Sequence, residues 1–288
     1  MPNDFMSLTR QAGGRREGGL RLSRDRGAWL TGSLLIAVAA LAWVSVVRQA
    51  VTLPAMPADA GMVGMDGMSQ VATSPLVAAV AYVAAWGVMM AAMMLPSATP
   101  MIALYGAISR KPSRAGQKGA STTLFALVYL AVWLALGLPV YAASQLVSWA
   151  AMTYPAAGAL FPYGVAAVLL AAGAYQFSPL KGACLRVCQS PLGFLMGHWR
   201  ASYAGTLKLA WEHATYCAGC CGGLMLVLVA AGAMSLPWVL LISVLVFAEK
   251  LLPYGQWTAR VIGGALIGLA LLVVARPDLA AALRGPGM

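Results

Sequence analysis

The residues best able to do chemistry are crowded into one stretch of the chain. All five cysteines, Cys184, Cys188, Cys217, Cys220 and Cys221, lie between positions 184 and 221 of 288. Three of them belong to the run Trp211-Glu212-His213-Ala214-Thr215-Tyr216-Cys217-Ala218-Gly219-Cys220-Cys221-Gly222-Gly223. On a helix, at about 100° per residue, His213, Cys217 and Cys220 share one face, with Cys221 at its edge. On the far side, Gly219 and Gly223 form a small-xxx-small pair that admits a second helix at close range. The other two cysteines follow Ser178-Pro179-Leu180-Lys181, in which the serine caps a short helix and the proline occupies its first turn. Cys184 and Cys188 then stand four apart on one face, so both cysteine groups can converge on one point. Thiolate and imidazole are ligands for zinc, copper(I) or an iron–sulfur cluster. A clustered, odd set is not the pattern of a secreted disulfide framework. A single buried cysteine would read as a small hydrophobe. Five so close together, with a histidine in register, predict a metal site made of Cys184, Cys188, His213, Cys217, Cys220 and Cys221.

Methionines add two further groups. Met62, Met65 and Met68 recur at a spacing of three in a polar loop, with Met56 upstream. Thioethers are soft, neutral ligands that favour copper(I) and keep ligating where thiols would be oxidised. This loop therefore reads either as an outer copper-collecting site or as a plain linker. Met89, Met90, Met93 and Met94 precede Pro96, and Met101 follows Pro100. Methionine is a common gap-filler in cores; the paired spacing also fits a relay running inward from the loop. Glu249 is a candidate for the same pathway, because an acid inside an apolar segment costs about 3 kcal/mol unless paired; beside Lys250 near the end of its helix, it reads equally as a residue that snorkels to the interface. Glu212, beside Lys208, and His198 read as interfacial.

The elements that must position these residues are membrane helices. Hydrophobic residues make up 61% of the chain and charged ones 9%, against about 25% charged in a soluble domain. The apolar residues come in blocks long enough to cross a core of about 30 Å. The reading is an all-α, polytopic transmembrane bundle of about seven helices, near 28–47, 76–109, 121–143, 160–177, 211–234, 238–252 and 258–275. The transmembrane domain covers 28–275 and includes a Met-rich outer loop, 48–75, and a Cys-containing cytoplasmic loop, 178–210. Pro96 and Pro100 are expected to interrupt the second helix. A basic, disordered tail, 1–27, precedes the domain and a short tail, 276–288, follows it. Ala58-Asp59-Ala60 fits a signal-peptidase pattern but lies too far past the first apolar block, so that block reads as an uncleaved helix. With the N-terminus in the cytoplasm, inner segments hold 16 Lys and Arg and outer ones hold 3, the bias expected of a bacterial inner-membrane protein. The net charge of +11 is spread over these loops, which excludes nucleic acid as a partner.

Several spaced motifs resemble one family. They are Met89-Met90-Ala91-Ala92-Met93-Met94-Leu95-Pro96-Ser97, Tyr175-Gln176-Phe177-Ser178-Pro179-Leu180-Lys181 with Cys184, Cys188 and Ser190-Pro191-Leu192, Tyr216-Cys217-Ala218-Gly219-Cys220-Cys221 with Leu224-Met225, and Glu249-Lys250. Together they resemble the domain-of-unknown-function 2182 family, described as predicted metal-binding integral membrane proteins of prokaryotes. The resemblance covers about residues 75–270 and implies metal binding without implying a reaction. Gly222 departs from it, standing where the pattern has tryptophan.

Three functions follow as expectations. The first is binding of a soft metal ion, copper(I) or zinc, for handling or transport. Its partners are the lipid bilayer, the ion, and a metallochaperone or another membrane subunit. The second is a membrane thiol–disulfide oxidoreductase using Cys217-Ala218-Gly219-Cys220. The third is a small-solute transporter with structural cysteines, for which a broken second helix is the main support.

Overall fold

The computed structural model describes residues 26–52, 74–109, 121–154, 157–200, 202–232 and 235–283. The Met-rich loop with Met62, Met65 and Met68, the arginine-rich tail before residue 26 and the basic loop 110–120 lie outside these residues. Ten helices make up the described structure. They are α1 (Arg26–Thr52), α2 (Pro75–Ser109), α3 (Thr122–Thr153), α4 (Ala157–Gln176), α5 (Pro179–Gln189), α6 (Pro191–His198), α7 (Tyr203–Gly232), α8 (Leu236–Leu251), α9 (Gly255–Ala275) and α10 (Asp278–Leu283).

Six of them are long and apolar enough to cross a membrane: α1, α2, α3, α4, α7 and α9. The segment expected as a further span is α8, whose sixteen residues reach only about 24 Å. Large apolar side chains such as Leu34, Leu41, Leu127, Leu138, Val261 and Leu271 point outward. On a water-soluble protein that surface would be an aggregation hazard; against lipid it is the expected exterior.

Three local outcomes differ from the sequence expectation. Helix α2 runs unbroken through Pro96 and Pro100. In that turn the Ser97 hydroxyl donates to the Met94 carbonyl at 3.0 Å and the Thr99 hydroxyl to the Leu95 carbonyl at 2.8 Å. Helix α3 likewise passes Pro139 and ends only at Thr153. The stretch 178–210 is mostly helical: α5 and α6 occupy its first part, and α7 starts at Tyr203, earlier than the polar residues there imply. Helix α5 forms where Ser178 and Pro179 predict it, with the Ser178 side chain accepting from the Lys181 amide at 3.1 Å.

The feature that builds the site is a mismatch of lengths. Helix α7 packs against α3, α4, α5 and α8, and α2 packs against α1 and α3. Tyr175, at the end of α4, donates to the Gly219 carbonyl at 2.6 Å, and Lys250, at the end of α8, meets Cys217. Both contacts fall midway along α7. Two helices therefore stop where α2, α3 and α7 continue, and α5 fits against the exposed middle of α7. The α4–α9 crossing is held close by Gly173 and Gly263: a Cβ on either would lie within 3.0 Å of the other's carbonyl oxygen.

Candidate metal centre

Cys217 and Cys220 project from the middle of α7, and Cys188 reaches them from the last turn of α5. The three Sγ atoms lie within 4.8 Å of one another, and Cys188 Sγ is 3.5 Å from Cys220 Sγ. At a metal–sulfur bond of about 2.3 Å, three sulfurs around one ion stand about 4.0 Å apart. The cysteines thus hold nearly the spacing that a shared ion requires, and all five in the chain are free thiols. The thiol of Cys188 is held well above its ordinary range, first by hydrogen bonding to Cys217, then by hydrogen bonding to Cys220, then by burial. A metal ion that binds there replaces its proton.

The surroundings of the trio are polar in a way the sequence did not reveal. Lys250 Nζ donates to Cys217 Sγ at 3.0 Å and to Ser97 Oγ at 3.1 Å. The Tyr129 hydroxyl lies 3.0 Å from the same sulfur. Both Lys250 and Tyr129 are buried. One step along α8, Glu249 pairs with Lys181 of α5 at 2.7 Å, each side chain 2% exposed. Gln189, at the end of α5, donates to the carbonyls of Glu249 and Leu252. Helix α5, and with it Cys188, is therefore fastened to α8 by a buried ion pair and two hydrogen bonds.

A cavity of about 180 Å³ opens on two of the three, Cys188 and Cys217, and is also lined by Ser97, Met101, His213 and Lys250, among others. His213 is buried and its Nδ1 has no hydrogen-bond partner. Its ring packs among Tyr129, Phe125 and Phe194 at centroid distances of 5.8, 6.2 and 5.8 Å. His213 thus lines the cavity with an imidazole that has hydrogen-bonding capacity to spare.

The other predicted site residues are placed as follows. Cys184 lies apart from the trio, packed so closely against α7 that a Cβ on Gly219 would fall 2.8 Å from its Sγ. Cys221 is buried, with its thiol turned to the Cys217 carbonyl at 2.9 Å and to Met94 Sδ at 4.0 Å. Met89, Met90, Met93 and Met94 are all in the core. Glu249 serves the ion pair rather than the trio. His198 stacks on Phe194 outside the site, and Glu212 pairs with Lys208 at the surface. Around Gly222 a Cβ would meet nothing within 4 Å, so the missing tryptophan leaves the packing of the trio intact. Sequence reasoning missed Tyr129, Ser97 and Lys181, and read Lys250 as a helix-end residue. The signal available for Lys250 was its charge within an otherwise apolar block.

No curated protein and no solved structure matches the chain. Residues 83–273 match a family model described as PpoB2, copper chaperone. The matched segment is well over half of the chain and contains the cysteine trio, the α2 methionines, Tyr129 and Lys250. It names copper where the motifs indicate only a metal, and it does not name the domain-of-unknown-function 2182 family. The chain therefore belongs to the PpoB2 copper-chaperone family.

Proposed function

We propose that this membrane protein binds copper(I) at Cys188, Cys217 and Cys220 and passes it on by ligand exchange through the adjoining cavity. The observation that carries this reading is the convergence of three free thiols from two helices within 4.8 Å. Three sulfurs with no fourth His, Asp or Glu donor in the same group, among the described residues, suit copper(I) better than zinc, which takes four ligands in structural sites. Ion and bilayer are its immediate partners. A donor or acceptor protein would present its own soft ligand at the cavity, where His213 and Met101 stand ready. The bacterial inner membrane, with the N-terminus and α5–α6 facing the cytoplasm, is the orientation that the Lys and Arg distribution supports.

The test is copper content and affinity of the purified chain. Wild-type protein loaded with copper(I) and washed with a competing chelator retains the ion, and Cys217→Ser with Cys220→Ser does not. Equal, near-zero retention by both proteins refutes the reading. Thiol–disulfide exchange is favoured by one observation, the 3.5 Å approach of Cys188 to Cys220. A defined two-electron midpoint potential with no retained copper would select it.

A further inference from the structure

A second pair of sulfurs lies immediately beyond the trio. Met94 Sδ on α2 and Cys221 Sγ on α7 are 4.0 Å apart, and both side chains are fully enclosed in the core. With metal–sulfur bonds of about 2.3 Å, that separation subtends about 120° at an ion held between them. Lys250 touches both this pair and the trio. Its Nζ is 4.0 Å from Met94 Sδ and 3.0 Å from Cys217 Sγ. An ammonium has three donors, and Lys250 directs them to Cys217, Ser97 and Met94.

We propose that Met94 and Cys221 form a second copper(I) position, adjoining the trio beside Lys250 and filled after it. This rests on the trio being a copper site. Charge is compatible with double occupancy. Three thiolates and one copper(I) leave two negative charges in a buried place, of which the ammonium offsets one. With both positions filled, four thiolates, two copper(I) ions and the ammonium again sum to one negative charge, so the second ion adds no charge to the buried place. Passage between the positions needs no oxidant or reductant: the ion stays copper(I), its three bonds to the trio give way to two, to Cys221 and Met94, and the Cys221 proton passes to a released trio thiolate. Ordinary core packing explains a buried methionine; it does not account for a thiol and an ammonium converging on that methionine's sulfur.

The experiment counts copper(I) equivalents retained by the full chain in detergent, with copper supplied as a chelator complex at graded chelator concentration. Wild type is compared with Met94→Leu plus Cys221→Ala, with Met94→Leu alone, and with the triple serine variant of Cys188, Cys217 and Cys220. Because the count is a difference between variants, copper held by the outer methionine loop cancels. The double variant is expected to retain one equivalent fewer than wild type while keeping the tightest one. Met94→Leu, which conserves volume, is expected to weaken only the later equivalent by at least tenfold. A double variant that matches wild type overturns the second position. So does one that loses every equivalent, since Met94 and Cys221 would then belong to a single centre. The triple variant is expected to keep one equivalent. If it retained all the copper, the trio reading would fail, and the double variant alone would decide on Met94 and Cys221.

Discussion

Lys250 offers the sharpest test of the copper reading. Lys250→Met preserves the length of the side chain and removes its charge. Copper(I) on three thiolates carries two net negative charges, and the ammonium of Lys250 stands 3.0 Å from one of those sulfurs in a buried site. At an effective dielectric of about 20, two unit charges that far apart attract by roughly 5 kcal/mol. Repulsion between the ammonium and the copper ion, and the ammonium's own desolvation, take back part of this. About 3 kcal/mol remains, the low end of what removing one partner from a buried pair costs. That corresponds to roughly a 150-fold rise in Kd for copper(I). The assay is competition with a chromogenic copper(I) chelator on the full chain in detergent. Lys250→Arg, which keeps the charge, should stay within about tenfold of wild type if charge rather than shape is the cause. A Lys250→Met protein that melts like wild type and binds copper(I) within threefold of it would refute the electrostatic argument.

Three further outcomes follow from the same geometry. Cys188→Ser should lower copper(I) affinity by at least tenfold and Cys184→Ser should leave it unchanged, because only Cys188 belongs to the trio; equal losses in the competition assay would make Cys184 a ligand. Gly219→Ala puts a methyl 2.8 Å from Cys184 Sγ and should cost about 1–3 kcal/mol by overpacking. A lowered melting temperature that Gly219→Ala with Cys184→Ala restores would bear this out, and an unshifted single variant would contradict it. Lys181→Met or Glu249→Gln leaves a buried charge or dipole unpaired, at about 3–5 kcal/mol, whereas Lys181→Met with Glu249→Met removes both and should melt closer to wild type; additive losses would show that the two residues are not coupled.

What could be read from the sequence was whatever depends on neighbours in the chain. Ser178 and Pro179 announce α5, and a spacing of three or four residues places Cys217, Cys220 and Cys221 around one side of α7. The apolar blocks announce membrane helices, although α2 runs whole through two prolines that argue for a break. Long-range juxtaposition was not legible. Tyr129 and Cys217 are 88 positions apart, and nothing local in either segment marks the contact. Cys184 and Cys188 look equivalent by spacing. One faces a glycine on α7 and the other a cysteine, because the two helices meet at a stagger that no periodicity encodes. Lys250 read as a residue at the end of a span, since the sequence does not reveal that α8 ends beside the middle of α7.

That ending explains why Glu249 and Lys250 are adjacent. Successive residues on a helix point about 100° apart, so the last turn of α8 presents two charged side chains to two different neighbours. Glu249 turns to Lys181 and holds α5, the element that carries Cys188. Lys250 turns to Cys217, Ser97 and Met94 on the opposite helices. Buried ion pairs add little net stability because desolvation offsets their attraction. Here the pair governs a distance: it holds α5 at the separation where Cys188 Sγ meets Cys220 Sγ at 3.5 Å. The neighbouring ammonium supplies the charge that a thiolate cluster lacks once water is excluded. On the copper reading, alignment of the third ligand and compensation of the bound complex thus depend on one turn of one short helix.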